Sequence, residues 1–311
     1  MKVFLAGAAG AIGRPLVPLL VAAGHEVTGT TRSPERAETI RAAGATPAVV
    51  DALDADALRV AVEQAAPEVV IHQLTSLPER FNPAKRHGYD ATNRIRSEGT
   101  SNLLAAARGA GARRFVCQSV AFAYAPGVRP EVKDEEAALA LDAPAQFGEG
   151  ARVLDAMERS VLDVDGLEGL VLRYGWFYGP DTYCGEGGSI AADVRKRRFP
   201  VVGSGAGLWS FVHVDDAAAA TVIAVGRGAP GVYNVVDDEP AAVRDWLPAY
   251  ADAMGAPPPR RIPIWMARLF AGKAAALADV LPAASNAKAR RELGWEPRWR
   301  SWRDGFREAP R

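Results

Sequence analysis

Val3-Phe4-Leu5-Ala6-Gly7-Ala8-Ala9-Gly10-Ala11-Ile12-Gly13 is the stretch that decides the fold. A short apolar run ends in three glycines spaced G-x-x-G-x-x-G, and amphipathic Leu16, Val17, Leu19 and Leu20 follow, up to Gly24. The pattern predicts a buried strand that turns sharply into a helix. Gly7 permits the tight turn. Gly10, with Ala11 and Ile12, lets a pyrophosphate approach the free N–H groups of the helix start, and Gly13 lets helix and strand pack closely. A glycine triplet between a strand and a helix is the context of a dinucleotide site. Pro15 suits a first helical turn, where N–H groups lack partners, and Pro18 is expected to bend the helix.

Glu26 to Thr31 reads as the second strand. A carboxylate at its tip would bind the adenosine ribose of NAD and repel a 2′-phosphate. Thr30, Thr31, Arg32, Ser33 and Arg36 stand there instead, hydroxyls and guanidinium groups suited to a phosphate dianion. NADP is therefore expected as cofactor, ahead of NAD.

The chain has 311 residues, 49% hydrophobic and 24% charged, with zero formal net charge. Such a surface offers no basic field to nucleic acid or an anionic membrane, and no apolar run is long enough to span a bilayer. The expected partner is a small-molecule substrate, with neither nucleic acid nor membrane, and the expected location is cytoplasmic. Cys117 and Cys184 make neither a disulfide framework nor a metal cluster, so no metal is expected.

Further strands are predicted at Ala48–Asp51, Val69–Thr75 and Arg114–Ser119, with helices over Ala55–Ala65 and Arg94–Arg108 between them. This alternation implies a parallel α/β sheet with right-handed crossovers. His72, in an apolar strand, reads as a packed strand-end residue rather than a ligand or base.

In order, the chain then carries Asp51, Val70-Ile71-His72, Glu98-Gly99-Thr100, Asn102-Leu103-Leu104, Ser119 with Tyr124, Leu172-Arg173-Tyr174 and Tyr178-Gly179-Pro180. Ser210-Phe211-Val212-His213-Val214-Asp215-Asp216, Gly231-Val232-Tyr233-Asn234-Val235 and Leu293-Gly294-Trp295-Glu296-Pro297 follow. Together with the glycine turn, these resemble the extended short-chain dehydrogenase/reductase superfamily, of the NAD-dependent epimerase/dehydratase type. The resemblance implies a Rossmann-type doubly wound parallel sheet over 1–173 plus about 209–228. It implies a smaller α+β substrate domain over about 174–208 and 229–311, with the active site in the cleft between. It also implies cofactor contacts from Asp51, Ala52, Leu74, Thr75, Ser76, Arg96, Ser119 and Tyr174. Relatives pair through two helices, here roughly 93–109 and 150–163. Ile95, Leu103, Leu104, Val153, Met157, Val161 and Leu162 there exceed what one sheet-covering face needs, so a homodimer is expected.

Members with the usual chemistry carry Tyr-x-x-x-Lys, the tyrosine as general acid and the lysine lowering its pKa. Aligning on Glu158 puts Gly150 and Leu154 at those positions, and Val120 takes the place of the usual serine. The chain is an atypical member. Proton-transfer candidates are Tyr124 first, then Tyr178, His213, Ser119, Tyr174, Tyr183 and Cys184. Trp176 and Trp209-Ser210 replace polar anchors for a nucleotide sugar, which favours an apolar or aromatic small molecule unless both tryptophans are core. The expected function is an NADP-dependent oxidoreductase that transfers hydride to a small, largely apolar carbonyl or enone. An epimerase, isomerase or dehydratase with transient cofactor use, and a non-catalytic NADP sensor, are the competing readings.

Overall fold

A computed structural model describes residues 1–82 and 87–308, with the backbone alone for 145, 146, 270 and 308. Strands β1 (Lys2–Ala6), β2 (Glu26–Thr31), β3 (Thr46–Val49), β4 (Val69–His72), β5 (Arg114–Val120), β6 (Glu168–Tyr174) and β7 (Gly231–Val235) form one parallel sheet. Their order is β7-β6-β5-β4-β1-β2-β3. The winding direction reverses between β1 and β4, so a crevice opens at their C-terminal ends.

Helices cover both faces, which is why the central strands are apolar almost without interruption. On one face, α1 (Gly13–Ala22) packs Leu16, Val17 and Leu20 against Val3, Leu5 and Ile71. Helices α2 (Pro34–Ala42) and α3 (Ala55–Ala65) follow, and α3 buries Leu58 and Val62 on the other face, beside Phe4 and Val70. Helices α4 (Asp90–Arg94) and α5 (Thr100–Gly109) are joined by a π-helical turn, Ile95–Gly99. Helix α6 (Ala145–Leu162) packs beside α5. Helices α7 (Ser189–Arg195) and α8 (Val214–Gly226) come next, α8 lying against α1. Beyond the sheet, Tyr178, Phe211, Trp246 and Phe306 form a separate aromatic core.

Three expectations need correction. The third strand starts at Thr46 rather than Ala48, and the fourth ends at His72 rather than Thr75. Gly231–Val235, assigned from sequence to the small domain, is the edge strand of the large sheet, paired with β6 from Gly231↔Leu170 to Val235↔Tyr174. The apolar residues behind the expected dimer face already have partners within the chain. Ile95, Leu103, Leu104, Met157 and Val161 are buried, and Val153 and Leu162 are half-buried. They cover the sheet and one another, so this set leaves no surplus face.

Asp237 follows β7 and is buried, its carboxylate accepting from the Glu239 N–H. Burial holds its pKa well above the usual carboxylate range. An acid whose folded pKa is raised stabilises the fold fully below its unfolded pKa, about 4, and loses that contribution as pH rises through the folded value. Asp237→Asn should therefore gain on the wild type between pH 4 and 8, by about 1.4 kcal/mol for each pKa unit of coupling. Thermal melts across that range measure it, and a pH-independent difference would mean that Asp237 is ionised in the fold.

Candidate active site

The first turn has no room for side chains at two of its glycines. Gly7 has φ +98°, and a Cβ there would meet the Gln73 carbonyl oxygen at 2.9 Å. A Cβ on Gly13 would fall 2.2 Å from the Gly7 carbonyl oxygen. Gly10 is exposed, and the N–H groups of Ala11 and Ile12 meet no backbone acceptor among the described residues. Open backbone donors at a helix start fit an anionic diphosphate. Thr30 Oγ1 accepts from Gly7 N at 3.1 Å and ties the turn to β2. At the β2 tip, Thr31 Oγ1 accepts from Ser33 N, and the Ser33 hydroxyl donates to the Glu35 carboxylate. Arg32 and Arg36 are exposed, and neither side chain makes a hydrogen bond or ion pair among the described residues. Asp51 is exposed and accepts from Leu53 N, and Ala52 is buried.

The loops after β4 and β5 form the floor. Gln118 Nε2 donates to the Leu74 carbonyl at 2.8 Å, and Ser76 N donates to Thr92 Oγ1 at 3.1 Å. Thr75 between them is exposed. His72 is buried, its Nδ1 accepting from Leu74 N, so Nε2 carries the proton toward Thr100 Oγ1 at 3.0 Å. The packed strand-end reading of His72 fits this geometry.

Beneath this floor lies a charged network in the core. Ser119, Arg173 and Asn234 are register partners on three adjacent strands. Glu158 of α6 accepts from Ser119 Oγ at 2.5 Å and from Arg173 Nε at 2.9 Å, and Arg173 Nη2 reaches its second oxygen. Arg173 Nη1 donates to the Tyr124 hydroxyl at 2.9 Å, which donates to Asn234 Oδ1 at 2.7 Å. All five side chains are buried.

Most proton-transfer candidates are therefore engaged elsewhere. Tyr124 does not reach the cleft, because Tyr124 and Leu139 bridge and carry its ring into the core, where burial raises its pKa. Ser119 is held by Glu158. Tyr174 lies on the opposite face, buried, with its hydroxyl held between Gln73 Nε2 and Thr221 Oγ1. Tyr178 is buried, with Gly305 so close that a Cβ there would meet its ring at 2.2 Å. His213 caps α8 by accepting from Asp215 N and stacks on Trp299 at 3.7 Å. Tyr183 donates to the Pro78 carbonyl, and burial pushes the Cys184 thiol up to about 12, so it is no nucleophile.

What remains open is position 150. Gly150 stands one turn before buried Leu154 on α6, and a Cβ built on it meets no atom within 4 Å. Position 150 has room for a Cβ, and the lysine position is apolar. Aromatic rings form a column, Phe122 on Trp176 at 4.0 Å and Trp176 on Trp209 at 4.1 Å, with Phe81 edge-on to Trp176 at 5.5 Å. Trp209 is a core residue, whereas Trp176, Phe122 and Phe81 are half-buried. Arg14 and Asp181 form an ion pair at 2.6 Å and tie α1 to the Gly179–Gly188 loop. Sequence reasoning missed Phe81, Phe122 and this pair, which meet only through tertiary contacts. Of the Glu158–Arg173 pair only Arg173 left a sign, standing as a charge in an apolar stretch.

Glu158→Gln keeps the shape but leaves the Arg173 guanidinium buried without a counter-charge. Removing one partner of a buried pair costs about 3–5 kcal/mol. Urea unfolding measures it, and a loss under about 1 kcal/mol would mean that water already reaches the pair.

Comparisons with known proteins agree with this architecture. Residues 3–235 match the NAD dependent epimerase/dehydratase family. The chain is 47% identical to a 3-diazoavenalumate denitrifying reductase from a Streptomyces species, over 98% of this chain and 99% of that one. It is 30% identical to a 4-hydroxy-2-methyl-3-oxo-4-farnesyl-3,4-dihydroquinoline-1-oxide ketoreductase from Stigmatella aurantiaca, over 82% of this chain and 74% of that one. The crystal structure of a Thermus thermophilus UDP-glucose 4-epimerase complex with NAD has the same fold, with TM-score 0.74, 24% identity, and 99% and 97% of the two chains covered. On sequence and fold together, the chain belongs to the NAD dependent epimerase/dehydratase family.

Proposed function

We propose that this chain is an NADP-dependent reductase of a small aromatic electrophile, with a diazo compound as the substrate class. The observation that carries this reading is the missing acid at the cleft. Position 150 is open, position 154 is apolar, and the Tyr124 hydroxyl is committed to Arg173 and Asn234.

Reduction of a carbonyl leaves an alkoxide that must take a proton, which is what the usual tyrosine provides. An arenediazonium cation has no such need. One hydride accepted at the terminal nitrogen of an arenediazonium gives a neutral aryldiazene. The aryldiazene loses N2 and keeps that hydrogen on carbon, so charge and atoms balance without a protein acid. The 47% identical relative is named for denitrifying reduction of a diazo compound, which supports the reading. The nicotinamide, when bound, supplies the hydride. The chain's part is to hold and orient. Ala11 and Ile12 offer backbone N–H groups to the diphosphate, and Phe122, Trp176 and Phe81 offer an aromatic wall to the substrate. Carbonyl or enone reduction, with water as the proton source, is favoured by the 30% identical ketoreductase and is the second reading.

Purified protein, NADPH and an arenediazonium salt should yield N2 and the reduced arene with equal consumption of NADPH. Consumption with ketones or enones alone would favour the second reading. Product without net consumption would favour an isomerase, and binding without turnover a sensor. Gly150→Tyr should fold normally, since its Cβ has room, and should lower turnover about a hundredfold by displacing the substrate from its reacting position. Higher turnover in that variant would mean that the missing acid is a defect rather than a vacated space.

For the cofactor, Arg32 at the β2 tip supports a 2′-phosphate, and a charge-assisted contact of about 1.5–3 kcal/mol corresponds to one to two decades in affinity. NADPH should bind at least about tenfold tighter than NADH, and Arg32→Ala should remove most of that preference. Fluorescence titration of both cofactors decides it, equal affinities in the wild type being the adverse result.

A further inference from the structure

Arg96 stands in the π-helical turn between α4 and α5. Such turns re-aim side chains and gather at functional sites. This one packs against α6, the helix that carries Gly150 and Leu154. The charge of Arg96 acts on His72, the last residue of β4, and on its register partner Cys117 in the middle of β5, and it also acts on Tyr89. The guanidinium is half-buried, and among the described residues it has no hydrogen bond or ion pair.

None of its neighbours supplies a negative charge. Both ring nitrogens of His72 are committed, and burial pushes its pKa down to about 4, so it is neutral at ordinary pH. Burial also raises the Cys117 thiol and the Tyr89 phenol, which stay protonated. Glu158, whose charge also reaches Cys117, is gripped on both oxygens by Arg173. Glu158 is thus committed to Arg173, and a partly desolvated cation without a partner is costly unless an anion arrives. The same wall leads to the aromatic column. Tyr89 feels Tyr183, whose ring lies 5.8 Å from Phe81, and Phe81 meets Trp176 at 5.5 Å. A cation at one end of an aromatic wall suits an aromatic acid, because a guanidinium binds a carboxylate through two parallel N–H donors.

We propose that Arg96 binds the carboxylate of the substrate, so that the site selects an aromatic carboxylate over its neutral ester. The proposal rests on the reading of this cleft as the substrate site of a reductase, and it replaces the cofactor contact that family resemblance implied for Arg96.

The test uses binding rather than turnover. Cinnamate and methyl cinnamate are titrated into NADP⁺-saturated protein, with tryptophan fluorescence as the readout because Trp176 lies in the column. The wild type should bind cinnamate at least about tenfold tighter than the ester, the scale of a charge-assisted bond. Arg96→Met should abolish the preference and Arg96→Lys should keep part of it. NADPH affinity should stay within about twofold in both variants, which also reports that they fold. Three results would overturn the proposal: binding of neither probe or of both equally in the wild type, a preference that survives Arg96→Met, or a tenfold loss of NADPH affinity in that variant. A protein that reduces nothing yet selects cinnamate through Arg96 would sink the reductase reading and leave this one standing. Turnover without the selection would do the reverse.

Discussion

A methyl group has no room at Gly13, and the rest of the cleft depends on that crowding. The Gly7 carbonyl lies so close that a Cβ at position 13 would overlap it, and a Cβ at position 7 would press on the backbone after β4. Close approach lets α1 begin directly above β1, so its free N–H groups face the crevice where the winding of the sheet reverses. A bulkier residue at either glycine would push α1 off the sheet, and the buried contacts of Leu16, Val17 and Leu20 would go with it.

The second constraint is electrostatic. Glu158, Arg173, Ser119, Tyr124 and Asn234 form a closed set of buried partners across β5, β6, β7 and α6. A buried charge is tolerable only when it is paired and hydrogen-bonded, so each group is fixed by its neighbours. The network holds the strand ends in place, and in doing so it uses up the hydroxyl groups closest to the usual catalytic positions. The proposed reduction, whose product needs no proton from the protein, draws on the aromatic wall, the room for a Cβ at Gly150 and the lack of an acid at the usual tyrosine position.

Periodicity and the glycine turn made the sheet legible from the residues, because a parallel strand covered on both faces must be apolar throughout and its turns must carry glycine. The edge strand at Gly231–Val235 was misassigned because its pairing partner lies about sixty residues earlier, a distance at which local pattern carries no information. The absence of the Tyr–Lys pair was equally legible, since side-chain chemistry is a property of the residue itself: Gly150 has no proton to give and Leu154 no charge.

Direction and company were not legible. Tyr124 follows β5 and by position alone belongs to the cleft, yet its bridge to Leu139 and the pull of Arg173 and Asn234 place it in the core. Phe81 and Phe122 come from two loops and Trp176 from a short strand, and nothing in their spacing announces a column of rings. Arg96 reads as one more helical arginine until the fold surrounds it with neutral groups and gives the nearby carboxylate to Arg173. The sequence by itself determined the strands, the phosphate-binding turn and the missing acid, because these follow from local geometry and residue chemistry. Only the tertiary structure decided which hydroxyls are buried, which rings meet and which groups surround Arg96, because each of these depends on side chains brought together from distant parts of the chain.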